Sequence, residues 1–502
     1  MRVDSDRQAP RQDVGALFWL VVGGIALLGM GLVWVATRWG AFLGDDSYYY
    51  VQPAQAALTG DGFSPSPFFA PALPFLMLVL GWLGADLVIA FRLLNAALFG
   101  VNLVLTALIL REWNLRPGFV LWGVGLVAVV DVFIETHGWA MSEPLYLTFT
   151  LGAILCLLKY LRADRWTWLL GCTLLAAAAN LTRYAALPLV PAVGLALLVL
   201  DSRRDLGRRL VRAVVFGLAA VLPLAGYLLR NRLMSGRLTR YEAFRIPPLS
   251  GEKLRWFLYS IESWFIPGRF IKGREILAGV VLVVVILGAM FLFRFLHRDV
   301  PSGKKSPVFS PGTLVWGLFI VFNLVMLFLV RGLSGLAPYN VRYLVPVLLG
   351  LLLILAAILD RAWGRARTFV KAGMIVFCGL FFVYYAYRGA DFVLQTRRTG
   401  LGYSNIGWQE SETIPYLEAH PDLDYVATGE IGIYFWTGEK PPPIVAYGSL
   451  AGLRAHLCET GQLLVLMDQM PPELYGYPRD QLVEGLNLVH DFNDSMVYAC
   501  SQ

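Results

Sequence analysis

Charge is what this sequence has least of. Only 15% of its 502 residues are Asp, Glu, Lys or Arg, where a soluble protein carries about a quarter. With 57% hydrophobic residues and a mean hydropathy of +0.61, that shortage excludes an ordinary soluble enzyme. Metal-ligating residues are sparse too. Five cysteines show no zinc-like spacing, and five histidines form no H-x-x-x-H pair, so no metal motif is legible. No internal repeat is visible, and mid-span positions are overwhelmingly Leu, Val, Ala and Gly. Transporters instead tend to carry inverted repeats and polar groups at mid-membrane. No A-x-A-like site follows the first apolar run, which is too long for a signal peptide and reads as a retained span. The net charge of +7 is accounted for by short basic loops and does not imply nucleic acid.

What is there in quantity is apolar sequence. Val14–Thr37, Leu87–Leu110, Phe119–Ile134, Leu145–Leu158, Trp166–Asn180, Ala185–Leu200, Val211–Leu229, Ile276–Phe295, Leu314–Val330, Leu344–Leu359 and Ala372–Tyr387 each read as a span, about eleven in all. Several fall short of the ~20 residues that cross a bilayer, so their ends extend into the flanks. Basic residues orient them. The connections 111–116, 159–165, 203–212, 294–305 and 361–371 are short and basic, and the N-terminal tail carries Arg2, Arg7 and Arg11. These are placed in the cytoplasm. Segment 38–85 has one basic residue and segment 137–144 has no Lys or Arg, so both face outward. The outer stretch 230–274 is strongly basic against that rule. Either the topology slips there, or its cations bind something anionic.

Beyond Tyr387 the chain turns polar, punctuated by Pro and Gly. Tyr425–Thr428, Ile431–Trp436, Leu463–Met467 and Met496–Cys500 look like strands. The expected architecture is therefore an all-α polytopic membrane module over 1–388, with outer loops 38–85 and 230–275. A small extracytoplasmic α/β or β-rich domain over 389–502 follows it. The tail lies outside because an odd number of spans follows a cytoplasmic N-terminus. In that compartment Cys458 and Cys500 either bridge or remain two thiols. Cys156, Cys172 and Cys378 lie in spans as packing residues.

Asp45-Asp46, just outside the first span and followed by Ser47, Tyr48, Tyr49 and Tyr50, is the first place to look for chemistry. Carboxylates near hydrocarbon cost energy unless water, a cation or a substrate compensates them. Ser47–Leu58 has the pattern of a helix stopped by Gly60, which makes Asp46 equally a helix N-cap; Asp45 lies too far out for that role. Ala72–Trp82 is apolar but too short to span and suits the interface. Glu143 opens the fourth span, where it either complements the helix dipole or faces the same outer cavity as Asp45. His137 reads as a packing histidine, or as part of that cavity, ahead of a metal ligand. The outer arginines Arg183, Arg230, Arg232 and Arg342 either snorkel to headgroups or converge on a phosphate, whose oxygens match the guanidinium fork. Arg342 is the strongest of these. Between them Glu252–Phe265 reads as an interfacial amphipathic helix.

Taken together the motifs resemble those of the GT-C superfamily of polytopic glycosyltransferases, in particular the branch similar to bacterial protein O-mannosyltransferases and the lipid A aminoarabinose transferase. The resemblance rests on Asp45-Asp46-x-x-Tyr49 with Gly60, Pro71-x-x-Pro74 with Gly84, and Arg92-x-x-Asn95. It continues in Ser142-Glu143, Leu181-Thr182-Arg183 and Arg342-Tyr343-x-x-Pro346, and covers essentially the whole chain. It implies transfer of a sugar from a polyprenyl-phosphate carrier to a lipid, glycan or protein acceptor on the outer face. Asp45 would be the general base, with Asp46 (often Glu in relatives) and Glu143 beside it. Arg342, Tyr343, Arg183, Arg230 and Arg232 would hold the lipid phosphate, and Tyr49 and His137 would line the cavity. No organic cofactor is implied; some relatives use a divalent metal and others do not. The implied partners are the donor, the acceptor and membrane lipids, without nucleic acid.

Overall fold

A backbone inside lipid must satisfy its own hydrogen bonds, which leaves helices as the way to use long apolar runs. The computed structural model describes residues 15–239, 251–265, 310–334 and 341–501. The membrane part comprises α1 (Ala16–Ala36), α2 (Asp45–Thr59), α3 (Ala72–Trp82), α4 (Leu87–Glu112), α5 (Pro117–Val129), α6 (Asp131–Gly138) and α7 (Glu143–Ala163). It continues through α8 (Trp166–Thr182), α9 (Leu189–Leu200), α10 (Leu206–Ser235), α11 (Gly251–Phe265), α12 (Pro311–Ser334), α13 (Val345–Arg365) and α14 (Thr368–Thr399). Ten of the eleven apolar runs fall on helices; the run 276–295 lies outside the described residues. Seven of these helices are long and apolar enough to cross a membrane. The third run is not one straight helix: α5 and α6 meet at a 54° bend.

Two clusters of connections mark the ends of the bundle. At one end Arg116 pairs with Asp360 at 3.3 Å, Arg162 with Glu112 at 3.2 Å, Arg204 with Asp164 at 2.7 Å and Arg212 with Asp201 at 3.5 Å. These are loops expected together on one side, held as an ion-pair layer. At the other end lie α2, α3, the turn after α6 and the tail domain.

The tail is tied to that second end by backbone. Phe42 donates its N–H to the Gly138 carbonyl, Ala140 donates to Phe42, and Tyr403 donates to Leu43, each at 2.8 Å. The pairings Phe42 with Trp139 and Leu43 with Gly402 are both parallel. Three short segments thus lie side by side immediately before Asp45. The contact needs a glycine at 402, which has φ +63 and where a Cβ would come within 2.0 Å of the Leu43 carbonyl oxygen. The last helix also overruns the boundary expected at 388, ending only at Thr399.

The tail domain is α/β. Strands β1 (Tyr425–Ala427), β2 (Leu463–Met467), β3 (Leu486–Asp491) and β4 (Ser495–Cys500) form a sheet in the order β1-β2-β4-β3, with β1 parallel to β2 and the other pairs antiparallel. Helices α15 (Thr413–Ala419), α16 (Glu430–Thr437) and α17 (Leu450–Thr460) accompany it. The run 431–436, expected as a strand, is helix α16. Gly429 and Gly438, both left-handed, bound it, and a short continuous apolar run has no period that separates strand from helix.

Cys458 on α17 is bonded to Cys500 at the end of β4, closing a 42-residue separation. A peptide map under non-reducing conditions is expected to show this single linked pair. Cys458→Ser should destabilise the tail by about 2–4 kcal/mol in a thermal or denaturant melt. Two free thiols in protein taken from its native membrane would mean that the tail faces a reducing compartment.

Candidate active site

Helix α2 begins two residues earlier than the Ser47 start its pattern suggests. Gly44 is the N-cap, and the Ser47 hydroxyl accepts the Gly44 N–H at 3.0 Å. Asp46 is therefore not the cap. Asp45 and Asp46 both stand in the first turn, where carboxylates suit the helix dipole, and Gly60 at φ 102 closes the other end. Successive residues on a helix point about 100° apart, so the two acids face different neighbours.

Asp46 faces the membrane module. Its Oδ2 accepts from Nη2 of Arg342 at 2.6 Å. Glu143, buried at the start of α7, pairs with Arg183 at 2.8 Å and lies 3.9 Å from Nε of Arg342. Arg183 also donates to the Ser142 hydroxyl at 2.9 Å, which in turn is 3.0 Å from the Tyr50 hydroxyl. Tyr343 sits beside both guanidinium groups, 5.2 Å from that of Arg342 and 5.8 Å from that of Arg183. Four separate elements thus bring two arginines and two carboxylates together, and a pocket opens between Glu143, Tyr146, Arg183, Asn323, Arg342 and Tyr343. Among the described residues no three His, Cys, Asp or Glu side chains cluster as metal ligands.

Asp45 faces the tail. It is exposed, and its Oδ1 accepts the hydroxyl proton of Tyr403. Near it stand Glu430, at the start of α16, and Tyr475, whose hydroxyl lies 3.4 Å from Glu430. Burial raises the Glu430 carboxyl above its ordinary range, with the charge of Asp45 adding to the rise and Lys440 opposing it. Burial likewise pushes the Tyr475 hydroxyl up to about 12. Tyr434 donates to Gln55 on α2 at 2.9 Å and packs edge-on against Tyr48, so α16 is seated directly on α2.

The whole architecture is shared by two crystal structures of ArnT from Cupriavidus metallidurans, one bound to undecaprenyl phosphate and one apo. Each is 13% identical to this chain, with TM-scores of 0.57 and 0.56, covering 97% and 96% of this chain and 98% of the other. The chain has the GT-C fold. A crystal structure of the Archaeoglobus fulgidus oligosaccharyltransferase, tethered to an acceptor peptide, matches at 13% identity and a TM-score of 0.50, over 97% of this chain and 74% of that one. No family model matches the sequence, and no curated protein does.

Within the GT-C fold, several expected site residues stand elsewhere. His137 is not in the cavity. It is fully buried in α6, its Nδ1 2.7 Å from the Phe133 carbonyl, its Nε2 3.0 Å from Asn102 and its ring against Phe99. Both ring nitrogens being engaged, it joins α6 to α4. Arg230 and Arg232 do not reach the arginine pair. They are exposed at the end of α10, where Arg230 bonds Asn231 and Arg232 bonds the Gly236 carbonyl, as cations at a helix C-terminus do. Tyr49 stacks on Phe69 at 5.0 Å and so supports loop 64–71 rather than lining the pocket. That loop is further held by the hydroxyls of Tyr184 and Tyr227, both bonded to the Phe69 carbonyl. Of the motif Arg92-x-x-Asn95, Arg92 covers the end of α1 through the Trp34 carbonyl and Asn95 holds the Trp139 carbonyl at 2.6 Å; both serve the scaffold.

Sequence reasoning missed Ser142's bridging role, Asn323 and, above all, Tyr403. Ser142 was visible beside Glu143. Tyr403 carried no signal, since it meets Asp45 from 358 positions away.

Proposed function

We propose that the chain is a membrane glycosyltransferase that moves a sugar from a polyprenyl-phosphate carrier to a hydroxyl of a lipid, glycan or protein acceptor on the outer face of the membrane. The observation that carries this reading is the division of labour between two adjacent acids. Asp46 is committed to an arginine, while its chain neighbour Asp45 is exposed and keeps an oxygen for a substrate. A sugar phosphate has its leaving-group charge at one end and its reacting carbon a few ångströms away. The arrangement matches both needs.

In the reaction, the carrier phosphate enters beside Arg183 and Arg342, whose guanidinium groups suit phosphate oxygens. The acceptor O–H gives its proton to Asp45 as its oxygen bonds to the anomeric carbon. The bond from that carbon to the phosphate oxygen breaks, and its electron pair leaves with the polyprenyl phosphate. Negative charge grows on the phosphate as it departs, where fixed cations stabilise it most. One displacement without an enzyme-bound sugar inverts the anomeric centre. The GT-C neighbour captured with undecaprenyl phosphate supports this donor class, and the disulfide in the tail supports an extracytoplasmic placement of tail and site.

The test is release of free polyprenyl phosphate when the purified protein is incubated with a glycosylated carrier and candidate acceptors. Product with inverted anomeric configuration is expected. Movement of the intact carrier across vesicle membranes, without release, would instead make the protein a flippase.

A further inference from the structure

We propose that the tail domain holds the reaction's base in place, with Tyr403 as a positioning residue for Asp45. The inference rests on the reading of Asp45 as general base and adds to it the part played by a residue of the tail. A first-turn aspartate that is exposed would sample several rotamers, and a base works only within hydrogen-bond reach of the proton it takes. Tyr403 removes that freedom. Its hydroxyl occupies Oδ1 of Asp45, which directs Oδ2 to the acceptor.

Tyr403 can do this because it is itself fixed at every point. Its N–H bonds the Leu43 carbonyl at 2.8 Å, two residues before Asp45. Its carbonyl accepts from the Trp436 indole at 3.1 Å. Its ring packs edge-on to Trp408 at 5.6 Å and lies near Phe435 at 6.3 Å, and the residue is only 6% exposed. The Ser404 hydroxyl bonds the Ala41 carbonyl at 2.6 Å, so the next residue is pinned as well. The groups facing Asp45 from the tail are Tyr403, Tyr475 and Glu430, and its chain neighbour Asp46 is held by Arg342. Glu430 brings a second carboxyl group to the site, and the Tyr403 hydroxyl donates to Asp45 beside it.

The experiment is steady-state transfer by the full-length protein in liposomes containing a polyprenyl-phosphate sugar, comparing wild type with Tyr403→Phe, which keeps the ring and its packing. A loss in kcat of about tenfold or more is expected, with KM for the donor unchanged. The acid limb of the kcat/KM profile should move to higher pH, because a hydrogen bond to the charged form of the base has been lost. Incorporating 3-fluorotyrosine at 403, a stronger donor of the same shape, should move that limb the other way. A purely packing role would leave the limb in place in both proteins, and wild-type kcat with an unmoved limb would overturn the inference. Asp45→Asn run alongside separates the two levels. If it transfers sugar normally, the base assignment itself fails; if it is inactive while Tyr403→Phe is normal, only the role of Tyr403 fails.

Discussion

Asp45→Asn is expected to give a folded, membrane-inserted protein that binds the carrier and transfers essentially nothing. The amide keeps the side chain's shape and its oxygen can still accept from Tyr403, so the setting is preserved. What is lost is the capacity to take the acceptor's proton, and general-base removal costs about 10²–10⁴ in rate. Asp46→Asn provides the contrast. Because Gly44 rather than Asp46 caps α2, the change should leave the helix intact and act through Arg342, its partner at 2.6 Å. The expected result is a shifted KM for the donor with part of kcat retained. An inactive Asp46 variant beside an active Asp45 variant would reverse the assignment of the two acids. Normal transfer by both would remove the main support for the glycosyltransferase reading.

Arg342→Ala should be nearly as damaging, through a different quantity. Losing one charge-assisted contact to a departing phosphate costs about 2.7–4 kcal/mol in the transition state, or about 10²–10³ in kcat. The fold should suffer much less. The pair with Asp46 is partly solvated, with side-chain exposures of 23% and 28%, and such a pair is worth about 1 kcal/mol or less. Arg342→Lys should restore only part of the activity, since an ammonium cannot make a two-pronged contact. The measurement is single-turnover transfer with a saturating donor, alongside carrier affinity and a melting curve. Full activity in the alanine variant would show that Arg342 merely joins α2 to the bundle.

The membrane module was legible because its signal is local. An apolar run long enough to cross a bilayer declares itself, and the basic loops that were grouped by charge meet as the ion-pair layer of Arg116, Arg162, Arg204 and Arg212. Asp45, Asp46, Glu143, Arg183 and Arg342 stood out in the sequence for a related reason, since charge beside hydrocarbon is conspicuous, while Tyr343 entered only through the motif it shares with Arg342. Their partners were not. Nothing in the sequence links Asp46 to Arg342 across 296 positions, and Arg230 and Arg232 look as suited to phosphate as Arg183 until helix α10 is seen to end on them. His137 misled for the opposite reason. A histidine in a short loop suggests solvent, but α6 continues through it and carries it into the interior. In the tail, the apolar run of α16 carries no period to fix its class, and β3 alternates too weakly to be noticed, its edge exposing Leu488 and Val489.

The three segments laid side by side before Asp45 also set a timetable. Residues 41–43 and 138–140 leave the ribosome early, whereas 402–404 follow only after the last span, and chains generally settle from the N-terminus as they are made. Between the synthesis of Arg342 and that of Tyr403 the protein therefore carries its arginines and its acids without Tyr403 to steady Asp45. If the proposed function holds, a chain stalled in that interval would attract a carrier lipid but be poorly equipped to transfer its sugar. On the proposed reading, full activity waits for the tail domain to dock beside Asp45.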